Sequence, residues 1–524
     1  MRRACLCALA LLAGCRTFPK TPAEALAQLE ARPGGFLTGT VGALGPAKVL
    51  NREDFVWDAR PSPDASKVAL ARLGMKSFHL SVFSLAEAGK PQVDVVVNPL
   101  EFNVESLDWS PDGALVATAS RDRSVRLFDG QRGALKGQWL TDEALTAVAF
   151  HPKGELLAVG STKGLVTVLR WPELSFVAEV RAHRDEVSGL AWASTGELFS
   201  SSWDRTVAVW VVEEAAGSAR ASRALFEKKS GLNVFRGVVE GRASAAFVID
   251  ARTPVVVLRG ALAQAAGLDV PALTETVTIP TAMGPQLAPL ARGRSVTLKN
   301  VTLTGVDLAV CDACVPQDAQ AVLGQAALER LDVATDSATN EYVFTPKEGV
   351  AGVTATSPRS LVRRRVLSFE ASVNDVTVDA AGAVLGLALS ETKAERTKAV
   401  YDREKRKEVE PERPWDCAAR VDAKSGQVLE KLTGHRGVVS TAGISPDGKT
   451  VVSGGWDKTV VLHRGQASQV ESPYGWAIRR VRFSRDGRLV TVAAWTPQNP
   501  LNDHQSDPAG VVYEALYLDA AVAP

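Results

Sequence analysis

Three sets of residues in this chain have the types and spacing that could do chemistry. Asp250 ends an apolar run, Phe247-Val248-Ile249, and Ala251, Arg252 and Pro254 follow it. A carboxylate so delivered is a candidate for acid–base work. A guanidinium two residues on lowers its pKa and opposes proton sharing, and Pro254 stiffens the loop. Cys311-Asp312-Ala313-Cys314 is a CxxC pair. A structural zinc site needs four ligands and no second pair exists, while a redox CxxC needs a helix start in a thioredoxin-like unit, also missing. Ser, His and acidic residues are the third set, but the six His are scattered and nothing places a Ser, a His and an acid as a credible triad. There is no GxxxxGK[ST], HExxH or GxSxG. We therefore expect no metal and no cofactor.

The elements that must position these residues are repeated. The runs SSWDRTVAVW (201–210) and GGWDKTVVLH (454–463) are near copies, each placing Asp in a turn between two strand-like segments. Turns of one kind recur as SPDA (62–65), SPDG (110–113), HPKG (151–154), ASTG (193–196), DAAG (379–382), SPDG (445–448) and SRDG (484–487). The steps from 110 to 151 to 193 are 41 and 42 residues, and that from 445 to 484 is 39. Short alternating β-branched runs at such a period predict four-stranded units, stacked as blades.

These residues resemble the WD-repeat β-propellers. Ala182-His183 and Gly434-His435 match the family's Gly-His, and Asp122, Asp204 and Asp457 match its turn Asp. Thr118, Ser200 and Ser453 lie four residues before those aspartates; Phe128, Trp210 and His463 lie six after. The resemblance implies a buried hydrogen-bonded set that locks each blade, complete in type only for His183, Ser200, Asp204 and Trp210. It makes these residues, with His435, Ser453, Asp457, Thr118 and Asp122, structural. Seven units are counted, and segment 36–50 is expected to add an outer strand to the last.

The period breaks twice. From 193 to 379 the step is 186 residues, and from 379 to 445 it is 66. The smaller surplus, 391–413, has fifteen charged residues in twenty-three and reads as a solvated hairpin extension, or as a docking arm. The larger, about 220–365, resembles a single retropepsin-like aspartic protease lobe. A strand delivers Asp250, and Val322-Leu323-Gly324, a helix at 325–330 and a strand at 333–336 follow in the family's order. The chemistry that resemblance implies needs two carboxylates sharing a proton, one from each of two lobes. Asp250-Ala251-Arg252 stands where the family has Asp-Thr-Gly. Asp250 is thus expected to be a degenerate, inactive catalytic position. The alternative is a membrane-anchored aspartic endopeptidase using Asp250 in a dimeric site.

The chain has 524 residues, a net charge of +1 and six cysteines. Near-neutrality gives no bulk electrostatic case for nucleic acid. Residues 1–14 read as a basic start, an apolar stretch and small residues before Cys15, too short to span a membrane. They resemble a bacterial lipoprotein signal, which implies lipid on Cys15, and Arg16 points to the outer membrane, facing the periplasm or cell surface. Export would favour a Cys311–Cys314 disulfide and leave Cys417 alone.

The expected fold is all-β: a seven-bladed propeller with an inserted small β-barrel-like lobe. The divisions are signal 1–14, anchor and tether 15–50, blades 1–4 at 51–219, insert 220–365 leaving between the fourth and fifth units, and blades 5–7 at 366–524. The expected function is an envelope-anchored interaction scaffold. Its partners would be envelope proteins or peptides, with homodimerisation through the insert.

Overall fold

A computed structural model of the chain describes residues 41–517 apart from 52–54, 75–76, 87–89, 100–101, 142, 173, 215–220, 356–358, 392–399, 403–406, 410–414, 465–466, 472–476 and 496–509. Cys15, the signal-like segment and the tether lie outside the described residues. The chain is all-β, about 60 % strand and 4 % helix, and at least five of its four-stranded sheets stand as blades of a β-propeller. Six four-stranded sheets are separate, and a further set of four strands, from Val104–Trp109 to Leu135–Leu140, continues into the insert.

Local chemistry explains the repeated hairpins. At Ser62, Ser110, Ser445 and Ser484 the hydroxyl donates to the carboxylate two residues on, at 2.5 Å each. Each hydroxyl also accepts the amide five residues on, at 2.9–3.0 Å. The turn then needs a left-handed residue: Gly113 has φ 69°, Gly448 72° and Gly487 75°, while Ala65 bears φ 57° where glycine is missing. Strands entering the turns can be buried on both faces, as in Leu145–Phe150 before the HPKG turn, where every residue is buried.

Neighbouring sheets are joined by side chains bonding to the next sheet's backbone, from the innermost strands except at Thr491, which lies on the second strand of the last sheet. Asp58 Oδ2 accepts from Leu107 N (3.1 Å), and Asp108 Oδ2 from Phe150 N (2.8 Å). Thr146 Oγ1 donates to Val187 O (2.6 Å), and Ser188 Oγ to Val373 O (2.5 Å). Thr377 Oγ1 donates to Ala442 O (3.0 Å), Ser440 Oγ donates to Ile478 O, and Thr491 Oγ1 donates to Ala59 O (2.9 Å), back in the sheet where the series began. Strand Val41–Asn51 pairs antiparallel with Gly510–Tyr517 at the outer edge of the last sheet, so that edge is covered by an N-terminal strand.

The insert departs from the expected boundaries. Arg359–Ser368 is not part of it: this strand pairs with Thr206–Glu214, from Glu214↔Arg359 to Thr206↔Ser368, as the outer strand of the fourth sheet. The insert therefore interrupts that sheet between its third and fourth strands rather than following it. The alternating residues of 359–368 look the same whether a strand ends one unit or closes another, so sequence patterning does not mark the break. The two ends emerge as paired residues, which lets a large module attach without disturbing the sheet.

The insert has its own apolar core, including Phe226, Phe235, Phe247, Val256, Leu308 and Phe344. It folds back onto the rim of the second and third sheets. Ala243 pairs with Leu140, and Val238 packs with Trp139 and Phe176. Arg236 Nη2 donates to Thr141 Oγ1 (2.7 Å), and Arg181 pairs with Glu227 (2.8 Å). In the charged segment, Val400–Asp402 and Lys407–Val409 form an antiparallel hairpin.

Candidate functional site

The fourth unit assembles its polar set as its strands require. Ser200 lies on the second strand, Trp210 on the third, Asp204 in the turn between, and His183 on the connection entering the unit. Trp210 Nε1 donates to Ser200 Oγ (2.9 Å), and His183 Nε2 contacts that hydroxyl at 2.7 Å. His183 Nδ1 is 2.9 Å from Thr206 Oγ1 and 3.4 Å from Asp204 Oδ2. Ser, His and Asp thus do meet in the order of a catalytic triad, which spacing alone did not reveal. Chemistry is ruled out by access, because Ser200 is fully buried and His183 is 3 % exposed. The serine hydroxyl is also occupied on both sides, so no substrate carbonyl can reach it.

Burial disfavours the Asp204 carboxylate, but bonds from His183, Thr206 and Arg184 N–H outweigh it and hold the group well below the usual range. The turn places its left-handed conformation on the base after the aspartate, Arg205 (φ 74°) and Lys458 (φ 71°), not on the aspartate. The carboxylate secures that turn from below, as Thr206 N donates to Asp204 Oδ1 (3.1 Å).

The sixth sheet repeats the set with one exchange. His435 Nδ1 contacts Asp457 Oδ1 (3.0 Å), His435 Nε2 contacts Ser453 Oγ (2.8 Å), and His463 Nε2 takes the place of the indole at 2.8 Å from the same hydroxyl. Burial opposes ionisation of Asp457, yet the bond and charge of His435 bring it down to about 2. His463 is 1 % exposed, and burial, reinforced by His435, pushes its pKa down to about 3. It is therefore neutral at ordinary pH and can donate through Nε2 as tryptophan does.

The second unit differs. Thr118 is fully buried and its hydroxyl makes no hydrogen bond among the described residues. Its neighbour Ser120 is used instead, accepting from Asn98 Nδ2 (2.7 Å), and Arg126 Nη1 takes Asp122 Oδ2 (2.7 Å). No histidine occupies this unit, and Arg126 supplies the donor.

In the insert, both halves of the sequence signature meet. Phe247↔Ala321, Val248↔Val322 and Ile249↔Leu323 pair in parallel, and Asp250 N donates to Leu323 O (3.2 Å). Gly324 is required here: a Cβ would stand 2.0 Å from Val255 O and 2.5 Å from Thr253 O. The carboxylate that this scaffold delivers is clamped. Arg252 Nε donates to Asp250 Oδ1 (2.9 Å), Arg252 Nη2 to Oδ2 (2.8 Å), and Arg252 N to Oδ1 (3.0 Å). The guanidinium bonds hold the Asp250 carboxyl below its ordinary value against some desolvation. Cys311 and Cys314 are disulfide-bonded beside a single 3₁₀ turn, Asp312–Cys314, and Cys417 is buried with a free thiol that burial pushes up to about 11. Among the described residues no cluster of three or more His, Cys, Asp or Glu could hold a metal, and no helix is long and apolar enough to cross a membrane.

Sequence reasoning missed the charged groups on the innermost strands. Asp375 is fully buried and receives both terminal nitrogens of Arg482, Nη1 to Oδ2 at 2.6 Å and Nη2 to Oδ1 at 2.8 Å, with Arg480 at 3.5 Å. The signal was present as Asp and Arg inside short strand-like runs (SVNDVTV, AIRRVRF).

Comparison with known proteins agrees with this division. The family described as WD domain, G-beta repeat, matches residues 97–129, 174–211 and 426–464, and the family described as aspartyl protease matches residues 235–327. The chain carries WD40 repeats and a stretch similar to aspartyl proteases. It is similar to telomerase protein component 1 of Mus musculus, 32 % identical over 117 residues, which is 22 % of this chain and 4 % of that protein. It is similar to probable cytosolic iron-sulfur protein assembly protein 1 of Candida glabrata, 28 % identical over 130 residues, covering 21 % of this chain and 38 % of that protein. Pre-mRNA-processing factor 19 of Bos taurus is 34 % identical over 104 residues, 19 % of this chain and 20 % of its own length. The chain thus spans well under half the length of these WD-repeat relatives, whose repeats suggest a protein-interaction scaffold.

Proposed function

We propose that this chain is an envelope-anchored interaction scaffold: a closed ring of seven blades, carrying an aspartic-protease-like module that does not cleave peptides. One observation carries the reading. The one carboxylate in a protease-like setting, Asp250, is held at both oxygens by Arg252, while His183, Ser200 and Asp204 are bonded within their own blade. A shared proton between facing carboxylates needs an acid that can take it up, and a bidentate guanidinium opposes this.

The count of seven is supported by the sheet-to-sheet bonds that run from Asp58 around to Thr491 and return to Ala59. A recognition role is supported by turn tips that present Trp203 (44 % exposed) and Trp456 (55 % exposed), a residue type enriched in binding hot spots. Anchoring rests on the lipoprotein-like segment ending at Cys15 and gives outer-membrane attachment, with envelope proteins or peptides as partners.

The test is peptide cleavage at acidic pH by the purified chain, with Asp250→Asn as control. No cleavage is expected, and Asp250-dependent, pepstatin-sensitive cleavage would overturn the pseudoenzyme reading. Labelling with a radioactive fatty acid should mark the wild type but not Cys15→Ser. The second reading, an anchored endopeptidase active as a dimer through the insert, is favoured by the hairpin Thr276–Ile279 and Gln286–Leu298. Met283 on its tip is 88 % exposed and Leu287 70 % exposed, an apolar projection that a second copy would cover. A monomer by sedimentation, together with no cleavage, disposes of it.

A further inference from the structure

A cavity of about 420 Å³ lies at one end of the central channel, against the ends of the innermost strands. Its charged lining side chains are mostly cationic, with Asp58 and Asp375 behind them offsetting Arg60 and Arg482. Arg60, Lys153, Arg482 and Arg485 face it, against Asp108 and Asp379. Arg482 is committed to Asp375 through both terminal nitrogens, while its Nε is buried and makes no hydrogen bond among the described residues. Arg60 gives only its Nε to Asp58 (3.2 Å), and the side chains of Arg485 and Lys153 make no hydrogen bond or ion pair among the described residues. Trp192 and Trp109 supply apolar walls, with their indole N–H groups turned to backbone oxygens of the adjoining sheets.

A folded protein rarely gathers guanidinium groups in a partly enclosed space without an anion to meet them. We propose that this end of the channel binds a carboxylate-bearing ligand, with the carboxylate held by Arg60 and Arg485 and a ligand hydrogen-bond donor facing Asp108. Asp108 fits the second part. Its carboxylate accepts from Phe150 N (2.8 Å) and from the Trp109 backbone N–H, which leaves lone pairs for a ligand donor, and burial pushes its pKa up despite Arg60 and Arg485. The volume lies in the range of small-molecule sites. Both a small hydroxycarboxylate and the acidic side chain of a peptide, with its amide N–H, have this chemistry. The site is separate from the Asp250 module and does not depend on the scaffold reading.

Calorimetric titration of the full chain tests it, using citrate, a capped tetraglutamate peptide and a capped tetraglutamine peptide. Saturable binding of citrate or tetraglutamate, with none of tetraglutamine, is expected, and the probe that binds identifies the source. Arg485→Gln should weaken that binding by about tenfold or more, the effect of removing one charged hydrogen bond. Lys153→Gln should weaken it by less, because its ammonium is exposed and screened. Since neither side chain makes a bond that the fold uses, both variants should melt as the wild type does. The inference fails if neither carboxylate binds, if tetraglutamine binds equally, or if Arg485→Gln binds as the wild type.

Discussion

Replacing His463 by tryptophan should remove a specific acid sensitivity from this fold. In the wild type the buried imidazole, with its pKa pushed down to about 3, stays neutral across a range in which an unfolded histidine takes up a proton. The unfolded chain therefore binds more protons than the folded one from about pH 6.5 down to about 3. Stability rises with pH across that window and is lost as pH falls through it. Each unit is worth about 1.4 kcal/mol, so lowering the pH from 7.5 to 5 should cost about 2 kcal/mol from this side chain alone. Tryptophan keeps the donor, as Trp210 shows at 2.9 Å from Ser200, and does not titrate. His463→Phe removes the titration and the donor together. Urea midpoints of the three proteins at pH 7.5 and pH 5 are the measurement. Both variants should lose less stability than the wild type over that interval, whatever their absolute midpoints. Equal losses in all three would refute the reasoning, since the imidazole would then be protonated in the folded chain or exposed.

Other perturbations follow from the same geometry. Gly324→Ala should destabilise the insert by about 1–3 kcal/mol or more, because its Cβ would meet the Val255 carbonyl at 2.0 Å; limited proteolysis should then cut at 220–355 first. Asp375→Asn should cost about 3–5 kcal/mol by stranding Arg482 and Arg480 in a buried setting, read as a drop in melting temperature. Arg252→Ala should let the Asp250 carboxyl rise to its ordinary value, seen by NMR titration of that side chain; an unchanged value would mean that the clamp is not formed in solution.

Much of the blade pattern was legible because its determinants are local. A serine and an aspartate two residues apart, with glycine next, write the turn into four consecutive positions, and strand alternation does the rest. The strand delivering Asp250 and the Val322-Leu323-Gly324 run were also readable, because each is a short motif whose parts touch in sequence. What stayed hidden depends on separation. The bonds from Thr146 to Val187 and from Ser188 to Val373 join different units, and a lone threonine or serine in an apolar strand does not announce its partner. The end of the insert was misplaced for the same reason: Arg359–Ser368 is defined by its pairing with Thr206–Glu214, more than a hundred residues earlier. Thr118 illustrates the opposite error, since it holds the expected position, yet Ser120 makes the bonds.

The insert is tied by its two ends to one sheet but rests on two others, through Ala243 with Leu140 and Arg181 with Glu227. It is therefore an outrigger, not a pendant. A force applied to the module passes into three adjacent sheets at once. The rim between the second and fourth is splinted, so rupture under load should begin away from it, for example at the outer ladder of the last sheet, where Val41–Asn51 pairs with Gly510–Tyr517.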